Sequence, residues 1–418
     1  MKGLIYTFFY GTGLLVAYAL SPFSAKLRKG FLGRRHLLDR VRAQCAGWEK
    51  PLWFHVASSG ELEQCLPVLD AIKRQEPERK IFLSVFSPSG LQGLKKEEER
   101  RRACGIEVPW DYADYCPFDL AFFLHPFLDA LRPEKLICIQ REIWPNLITS
   151  CHARGVACLL FGSYFSSRAR RVFHLYRPWI DLFDFIGTVD DDTTAYLVLE
   201  LHADHIQTVG DPRIERVESR RLLSKSAVWQ DFFADKPVFL AGSIWREDEN
   251  ALADSLRFLQ SQDWRLVLVP HEVDGAKALQ RRLQKIGIQA RLWSHWKLSP
   301  DNDSHLIVDE IGILAELYRV SKLSFVGGSF RKRVHNVLEP AAYRVPVLTG
   351  PYIDNSAEAK RLQHLGALKA PESGAALEQT VRELIESPKV FEAQRAAIEK
   401  FFDLPEPIAE KYALVALA

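Results

Sequence analysis

Short, continuous apolar runs separated by longer amphipathic stretches recur along most of this chain. Runs without alternation of apolar and polar residues are typical of parallel strands that are buried on both faces. The amphipathic stretches between them indicate helices, so the pattern predicts repeated βα units and parallel sheets. The predicted strands are Leu52–Ala57, Lys80–Phe86, Lys135–Ile139, Gly155–Phe161, Asp184–Val189, Ile206–Gly210, Pro237–Ala241, Arg265–Pro270, His305–Val308, Leu323–Val326 and Val345–Thr349.

The strand pattern restarts after Gly210, and the 418 residues exceed the usual size of a single core. We therefore predict two α/β domains, each a doubly wound parallel sheet of the Rossmann-like kind, over residues 26–209 and 210–395. Residues 396–418 are predicted to form a helix that crosses back to the first domain. Two facing domains of this type bind ligands at the carboxyl ends of their strands, in the cleft between them.

An uncharged segment runs from Gly3 to Ala25, and residues 4–20 are mostly apolar. About 20 such residues span the hydrocarbon core of a bilayer. Five basic residues follow before the first acid at Asp39, namely Lys26, Arg28, Lys29, Arg34 and Arg35. By the positive-inside rule, residues 1–25 are predicted to be a single-pass anchor in the inner membrane with the main body on the cytoplasmic side.

Two alternatives for this segment stay open, an interfacial or soluble core helix and a cleaved signal peptide with Lys2 as its basic start and Ala17-Tyr-Ala19 as a cleavage site. The basic cluster opposes export, and so do the seven cysteines, an odd number without CxxC spacing. The net charge of only +2 predicts no nucleic-acid partner.

A serine-rich turn, Ser58-Ser59-Gly60-Glu61, follows the first predicted strand. Glycine permits a tight turn and the close approach of a ligand. A carboxylate at the start of the next helix, Glu61, could deprotonate a hydroxyl as a general base. The alternative is ordinary capping chemistry, in which Ser58 caps the helix and Glu61 suits its dipole.

Glu142 is a second carboxylate at a strand end, within the segment Gln140–Asn146 that follows the strand Lys135–Ile139. The Trp144-Pro145 pair predicts a rigid turn. Such a pair more often packs than binds, but two carboxylates at neighbouring strand ends favour a shared site.

A glycine turn, Gly327-Gly328-Ser329, follows the strand Leu323–Val326, and the basic triplet 331–333 follows it after Phe330. Backbone N–H groups of such a turn can hold a phosphate. Asn336 can cap the next helix, and Glu339 could accept the hydroxyls of a ribose. The spacing matches neither the dinucleotide fingerprint nor the triphosphate-binding loop, and a solvated basic loop stays an alternative.

In their order along the chain, these segments resemble the lipid A Kdo transferases, where Kdo is 3-deoxy-D-manno-octulosonic acid. The resemblance extends from the N-terminal segment to about residue 360 and is carried by HVASSGELEQCLP (His55–Pro67), QREIWPN (Gln140–Asn146), GDPRIERV (Gly210–Val217), AGSIWREDEN (Ala241–Asn250), VPHEVD (Val269–Asp274) and FVGGSFRKRVHNVLEPAAYRVPVLTGP (Phe325–Pro351).

The resemblance implies a glycosyltransferase of the GT-B type that moves Kdo from CMP-Kdo to the lipid A precursor (lipid IVA) with inversion. It implies Glu61 as general base, Glu142 as a second catalytic carboxylate and an acceptor side at Ser58, Ser59 and Gly60. Donor binding would then involve His271, Gly328, Ser329, His335, Asn336 and Glu339.

No metal or other cofactor is expected, because a CMP donor carries one phosphate and no diphosphate needs bridging. Asp190-Asp191-Asp192 contains a DxD pattern, which we interpret as an acidic helix start. The expected partners are CMP-Kdo, the lipid acceptor and a membrane surface, without an obligate protein partner. Two other functions stay open, another nucleotide-sugar enzyme such as a 2-epimerase and a non-catalytic sugar-nucleotide binding protein on a membrane anchor.

Overall fold

The computed structural model describes residues 2–223, 233 and 235–418. Its contacts divide the chain into two compact units, unit 1 (Met1–Arg216 with Glu406–Ala418) and unit 2 (Val217–Pro405). The strands of unit 1 are β1 Leu52–Val56, β2 Ile81–Val85, β3 Tyr112–Tyr115, β4 Lys135–Ile139, β5 Ala157–Ser163, β6 Phe185–Thr188 and β7 Ile206–Thr208. Those of unit 2 are β8 Val238–Ile244, β9 Arg265–Pro270, β10 Ala290–Leu292, β11 His305–Ile307, β12 Leu323–Val326, β13 Val347–Leu348 and β14 Leu368–Lys369.

Helices fill most of the connections between these strands. Those before the unit boundary are α1 Lys2–Leu20, α2 Ala25–Gly33, α3 Leu37–Gln44, α4 Ser59–Gln75, α5 Pro88–Ala103, α6 Ala121–Leu131, α7 Pro145–His152, α8 Ser167–Arg170, α9 Phe173–Ile180 and α10 Asp191–Leu201. The boundary falls within α11 Arg213–Leu223. The helices that follow are α12 Arg246–Ser261, α13 Ala276–Lys285, α14 Trp293–Trp296, α15 Leu314–Leu317, α16 Leu338–Ala342, α17 Ala357–His364, α18 Gly374–Glu386, α19 Pro388–Phe402 and α20 Ile408–Leu417.

Both sheets are parallel throughout, with strand orders β3-β2-β1-β4-β5-β6-β7 and β10-β11-β9-β8-β12-β13-β14. The strands β1, β2 and β9 are buried at every position, which matches their continuous apolar sequences. The prediction of two doubly wound parallel-sheet domains is confirmed.

Three strands were not predicted, namely β3, β10 and β14, and each lies at the edge of its sheet. An edge strand pairs on one side only and needs less apolar sequence. The segment Tyr112–Tyr115 includes an aspartate, and β14 has two residues. Their sequences therefore lack the apolar run that marks a central strand.

The C-terminal helix α20 belongs to unit 1 and is held there by Tyr412. The buried hydroxyl of Tyr412 accepts a hydrogen bond from the Gly162 N–H (3.0 Å) and donates one to the Gly210 carbonyl (3.2 Å). Its ring packs on Phe161, with 4.5 Å between ring centroids. A side chain at Gly187 would collide with the same ring.

The unit boundaries differ from the predicted limits of 209/210 and 395/396. Residues 210–216 stay in unit 1 because Asp211 accepts a hydrogen bond from Gln64 (3.2 Å) and Arg216 pairs with Glu63 (2.8 Å) and Glu97 (2.7 Å). Helix α19 stays in unit 2, where Gln394 donates to the carbonyls of Val347 (3.0 Å) and Ala367 (3.1 Å).

In the part of the chain that the structure describes, one helix is long and apolar enough to cross a membrane, Lys2–Phe23 at the N-terminus. One face of α1 contacts unit 1, since Tyr6 donates to Asp119 (2.8 Å) and Thr7 to Asn146 (2.9 Å). Its other face is exposed and apolar, at Leu4, Phe8, Phe9, Leu15 and Leu20. The single-pass interpretation treats this segment as a separate span, whereas the observed contacts hold it against unit 1.

Replacing Tyr412 by Phe tests the attachment of α20. The exchange removes the hydroxyl and leaves the buried Gly162 N–H without its acceptor, so we expect unit 1 to lose about 1–3 kcal/mol of unfolding free energy. Urea unfolding measures the change. Tyr176→Phe, at a partly exposed tyrosine of the same unit, is the control and should leave stability unchanged. An equal effect in both variants would contradict the assignment.

Candidate active site

The first group of predicted site residues lies where the order of strands in the unit 1 sheet reverses. Strand β1 lies between β2 and β4, so the chain leaves β1 toward one edge and later returns to its other side. Glu61 follows β1 and Glu142 follows β4, so both carboxylates lie at the carboxyl ends of adjacent strands. A reversal of this kind is the usual ligand position in open α/β sheets.

Glu61 forms a capping box with Ser58 at the start of α4. The Ser58 backbone N–H donates to Glu61 Oε2 (3.0 Å), and the Ser58 hydroxyl donates to the same oxygen. The capping interpretation is therefore confirmed, but in the described structure it engages one of the two carboxylate oxygens. Ser59 and Gly60 are exposed beside it. The predicted acceptor-side residues 58–60 thus lie beside a carboxylate whose Oε1 has no hydrogen bond within the described residues.

A strained turn presents Glu142. Gln140 has a φ of 60°, in the left-handed region that a glutamine seldom adopts. The Trp144 indole N–H donates to Glu142 Oε2 (2.9 Å). Burial has the largest effect on the pKa of Glu142, which is raised to about 7. The nearby Glu61 carboxylate also raises this pKa, whereas the hydrogen bond from Trp144 lowers it. Glu142 therefore exchanges a proton near neutral pH, which suits a residue that takes part in proton transfer.

His55, which the sequence analysis did not select as a site residue, lies beneath this carboxylate. It is fully buried, and its Nε2 lies 3.9 Å from Glu142 Oε2 with no hydrogen-bond partner within the described residues. Its Nδ1 lies 2.8 Å from Ser84 Oγ, which also accepts from the Trp53 indole (2.7 Å). The Ser84 hydroxyl also lies 3.4 Å from the Phe54 carbonyl, so it can either donate a hydrogen bond to His55 Nδ1 or accept one from it.

The second group lies in unit 2, at the carboxyl ends of the adjacent strands β9, β8 and β12. Trp245 follows β8, His271 follows β9 and the glycine turn follows β12. Gly328 has a φ of +85°, and a side chain there would strike the Arg333 carbonyl and the His335 ring. Only glycine fits this position, so the turn brings His335 close to the strand ends.

Trp245, His271 and His335 form one aromatic cluster. The His271 ring stacks on Trp245 at 4.4 Å and on His335 at 4.5 Å between ring centroids. The Trp245 indole N–H donates to His335 Nε2 (3.1 Å). Since the indole cannot accept, His335 is neutral with its proton on Nδ1. The Arg331 guanidinium lies over the opposite side of the cluster, 3.9 Å from the Trp245 ring.

Burial, followed by His271 and Arg333, lowers the pKa of His335 to about 4. Burial also lowers the pKa of His271, with Arg333 and Arg331 acting in the same direction and Glu272 opposing them. Both imidazoles are therefore neutral at pH 7. They can donate one hydrogen bond each, and the positive charge beside them comes from the exposed arginines.

Two polar groups of the glycine turn are engaged within the protein. The Gly328 N–H donates to the buried Asp248 carboxylate (2.7 Å), which also accepts from the N–H groups of Trp245 (2.8 Å) and Phe330 (3.1 Å). Ser329 is fully buried, and its hydroxyl donates to the Val326 carbonyl (3.1 Å) and accepts from the Gly350 N–H (2.6 Å). The Gly328 N–H and the Ser329 hydroxyl thus stabilise the turn, and phosphate binding by the Ser329 N–H stays a prediction.

Asn336 and Glu339 lie together beyond this turn. The Asn336 side chain accepts from the Leu338 N–H and donates to Glu339 Oε1, each at 3.0 Å. The predicted cap is therefore present. The DxD segment also has its predicted role, because Asp190 caps α10 by accepting from the Thr193 N–H (2.7 Å) and Asp192 pairs with Arg170 (2.6 Å).

Comparison with known sequences finds one family for the first half of the chain. Residues 28–216 match the family described as 3-deoxy-D-manno-octulosonic-acid transferase (kdotransferase). A 3-deoxy-D-manno-octulosonic acid transferase from Haemophilus influenzae is 26% identical over 385 residues, covering 86% of this chain and 87% of that protein. The protein of the same description from Aquifex aeolicus is 26% identical over 304 residues, covering 72% of this chain and 76% of its own.

Comparison with solved structures reports on the fold. The UDP-GlcNAc 2-epimerase from Neisseria meningitidis matches with a TM-score of 0.60 at 13% identity and covers 88% of this chain and 99% of its own. A glycosyltransferase from Rickettsia africae matches with a TM-score of 0.55 at 13% identity and covers 88% of this chain and 98% of its own. The predicted GT-B type of fold is confirmed, and at such identities the likeness says nothing about the reaction.

The raised pKa of Glu142 makes the stability of the protein depend on pH. The folded state binds the Glu142 proton more tightly than the unfolded state does. The resulting stabilisation of the folded state is complete below about pH 4.5 and is lost as the pH rises toward about 7. The unfolding free energy should fall by up to about 3 kcal/mol over this pH range, and Glu142→Gln should remove this pH dependence. Urea unfolding between pH 4.5 and 8 measures it. Glu99→Gln, at an exposed position, should retain the slope of the original protein.

The proton position on His335 depends on the Trp245 indole. Trp245→Phe keeps an aromatic ring against His271 but removes the N–H donor, so we expect a mixture of both neutral tautomers of His335. Nitrogen-15 NMR of labelled histidines measures the two populations. Trp179→Phe in unit 1 serves as the control, and an unchanged His335 spectrum in Trp245→Phe would contradict the tautomer assignment.

Proposed function

We propose that this chain, which belongs to the 3-deoxy-D-manno-octulosonic acid transferase family, transfers Kdo from CMP-Kdo to the disaccharide lipid A precursor, lipid IVA, with inversion at the anomeric carbon. The protein is a glycosyltransferase of lipopolysaccharide synthesis. The observation that carries the proposed mechanism is the pair of carboxylates at adjacent strand ends, Glu61 with one uncapped oxygen and Glu142 with a pKa of about 7.

Glu61 acts as the general base in this proposal. Its Oε1 removes the proton of the acceptor hydroxyl while that oxygen attacks the anomeric carbon of Kdo from the face opposite the leaving group. The bond between that carbon and the CMP phosphate oxygen breaks as the new glycosidic bond forms. Glu142 supports the step, because its protonated form lacks the negative charge that would otherwise oppose binding of the Kdo carboxylate.

The donor is held by unit 2. The Nδ1–H of His335 and the neutral ring of His271 donate hydrogen bonds to the phosphate of CMP, and Arg331 supplies positive charge next to them. Glu339 accepts hydroxyls of the ribose, with its orientation supported by Asn336. Gly328 contributes by its shape, since it alone permits the turn that presents His335.

The reaction is proposed to need no metal and no other cofactor, because CMP-Kdo carries one phosphate and the departing charge is small enough for donors of the protein. Helix α1 attaches the enzyme to the inner membrane. The body faces the cytoplasm, in keeping with the basic residues that follow α1. This arrangement brings the enzyme to its lipid acceptor without another protein.

A nucleotide-sugar 2-epimerase shares the fold, so the substrate is tested directly. Purified protein is incubated with lipid A precursor and either CMP-Kdo or UDP-sugars, in EDTA and with magnesium, and the lipid is analysed by mass spectrometry. We expect a mass increase of whole Kdo units and release of CMP in both buffers. A product from UDP-sugars alone, or no lipid product, would refute the substrate assignment, and activity restored by magnesium would refute the metal-free mechanism.

Glu61→Gln separates catalysis from capping. Glutamine also closes a capping box, so the start of α4 should keep its stability. A glutamine cannot accept the acceptor proton, so we expect turnover to fall about a hundredfold to ten-thousandfold with little change in CMP affinity. Initial rates and calorimetry measure both quantities.

Glu142→Gln is the matched comparison for this prediction. A large loss of turnover there with little loss in Glu61→Gln would move the base to Glu142. A near-normal rate in both variants would end the proposed mechanism while leaving the substrate assignment intact.

A further inference from the structure

An apolar pocket of about 260 Å³ lies in unit 1 between α2, α3 and α6. Its apolar lining includes Phe31, Leu37, Leu38, Phe118, Phe123 and Phe127. The exposed residues Arg35 and His36 also line it, so the pocket opens at the surface. Its volume is below the roughly 300–1,000 Å³ of typical small-molecule sites, which suits one slender apolar group better than a nucleotide sugar.

One side of this pocket adjoins the apolar helix α1. Tyr18 of α1 packs edge-on against Phe31, at 5.3 Å between ring centroids, and Phe31 contacts Phe118 at 5.2 Å. Three large apolar side chains of this region are exposed, Phe23 (89%), Leu32 (51%) and Phe122 (80%). An exposed apolar surface that continues a helix able to enter a membrane fits lipid better than water.

The opposite side of the pocket adjoins the carboxylate pair through Arg34. The Arg34 guanidinium lies over the rings of Phe118 (4.6 Å) and Phe86 (4.8 Å) and donates to the carbonyls of Phe86 (2.7 Å) and Cys116 (2.8 Å). Phe86 in turn stacks on Trp144 at 4.5 Å, and Trp144 donates to Glu142. Only Arg34, Phe86 and Trp144 therefore separate the pocket from Glu142 along this line of contacts.

The charge around this region is positive. Lys26, Arg28 and Lys29 are exposed on α2, and Arg35 is exposed where the pocket opens. Such a group of basic side chains complements the negatively charged head group of an anionic lipid. Arg34 is held by the protein, since each of its three nitrogens donates to a carbonyl, including that of Gly30 (3.0 Å).

We propose that this pocket binds one acyl chain of the lipid acceptor and so sets the position of the acceptor sugar relative to Glu61 and Glu142. The assignment rests on the proposed function for the identity of the lipid. It makes the pocket a specificity site, because an acceptor without acyl chains would lose this contact while keeping every contact at the carboxylates.

The test compares two acceptors and two variants of the full chain. Leu38→Trp fills the pocket, and Leu199→Trp places the same bulk at an exposed position of α10 outside its lining. We expect Leu38→Trp to raise the KM for the acylated lipid A precursor about tenfold or more. A tenfold loss of affinity corresponds to the binding free energy of fewer than two buried methylene groups. Its kinetics with the chemically deacylated precursor, and all kinetics of Leu199→Trp, should stay unchanged.

A second measurement uses the unmodified protein and does not depend on folding of a variant or on transfer. A precursor with a photoreactive diazirine at the end of one acyl chain is bound and illuminated, and the labelled peptides are identified by mass spectrometry. We expect labels within residues 31–38 and 117–127. Labels confined to α1, or equal effects of Leu38→Trp on both acceptors, would overturn the proposal. If no acceptor is glycosylated, the proposed function fails, and the labelling alone still decides whether an acyl chain occupies the pocket.

Discussion

The candidate site of unit 1 depends on the reversal of strand order between β1 and β4. Because the chain leaves β1 in one direction and adds β4 on its other side, the turns after these strands diverge and leave room for side chains between them. Glu61 and Glu142 lie in the space between these two turns. Burial, and to a smaller extent the proximity of Glu61, raises the pKa of Glu142 to about 7, so the position of Glu142 at this strand end gives the site its acid–base property.

Each unit has a carboxylate that caps a helix, but the two carboxylates have different roles. In unit 1 the capping carboxylate Glu61 accepts from Ser58 through one oxygen and stays partly exposed. In unit 2 the equivalent carboxylate Asp248 is fully buried and accepts from three backbone N–H groups, including that of Gly328. A carboxylate whose oxygens are all engaged stabilises a turn, whereas one with an oxygen to spare can accept a proton.

Aromatic residues connect the membrane side of unit 1 with its site. Tyr10 of α1 packs edge-on against Trp144, and Trp144 contacts Phe86, His55 and Glu142. The helix that could enter a membrane is therefore packed directly against the residue that orients a candidate catalytic carboxylate. In the proposed reaction, this short path brings the glycosidic chemistry close to the surface where a lipid acceptor resides.

The sequence by itself determined the βα repeats, the central strands and the strand-end positions of Glu61, Glu142, His271 and His335, because burial on both faces and strand-to-helix turns leave local patterns. It did not reveal the edge strands β3, β10 and β14, whose pairing comes from a neighbouring strand. Tertiary structure alone decided that His55 lies beneath Glu142, that Trp245 fixes the proton of His335 and that Ser329 is buried. Each of these facts depends on a partner far away in the chain, and hydrogen bonds between distant residues leave no local pattern.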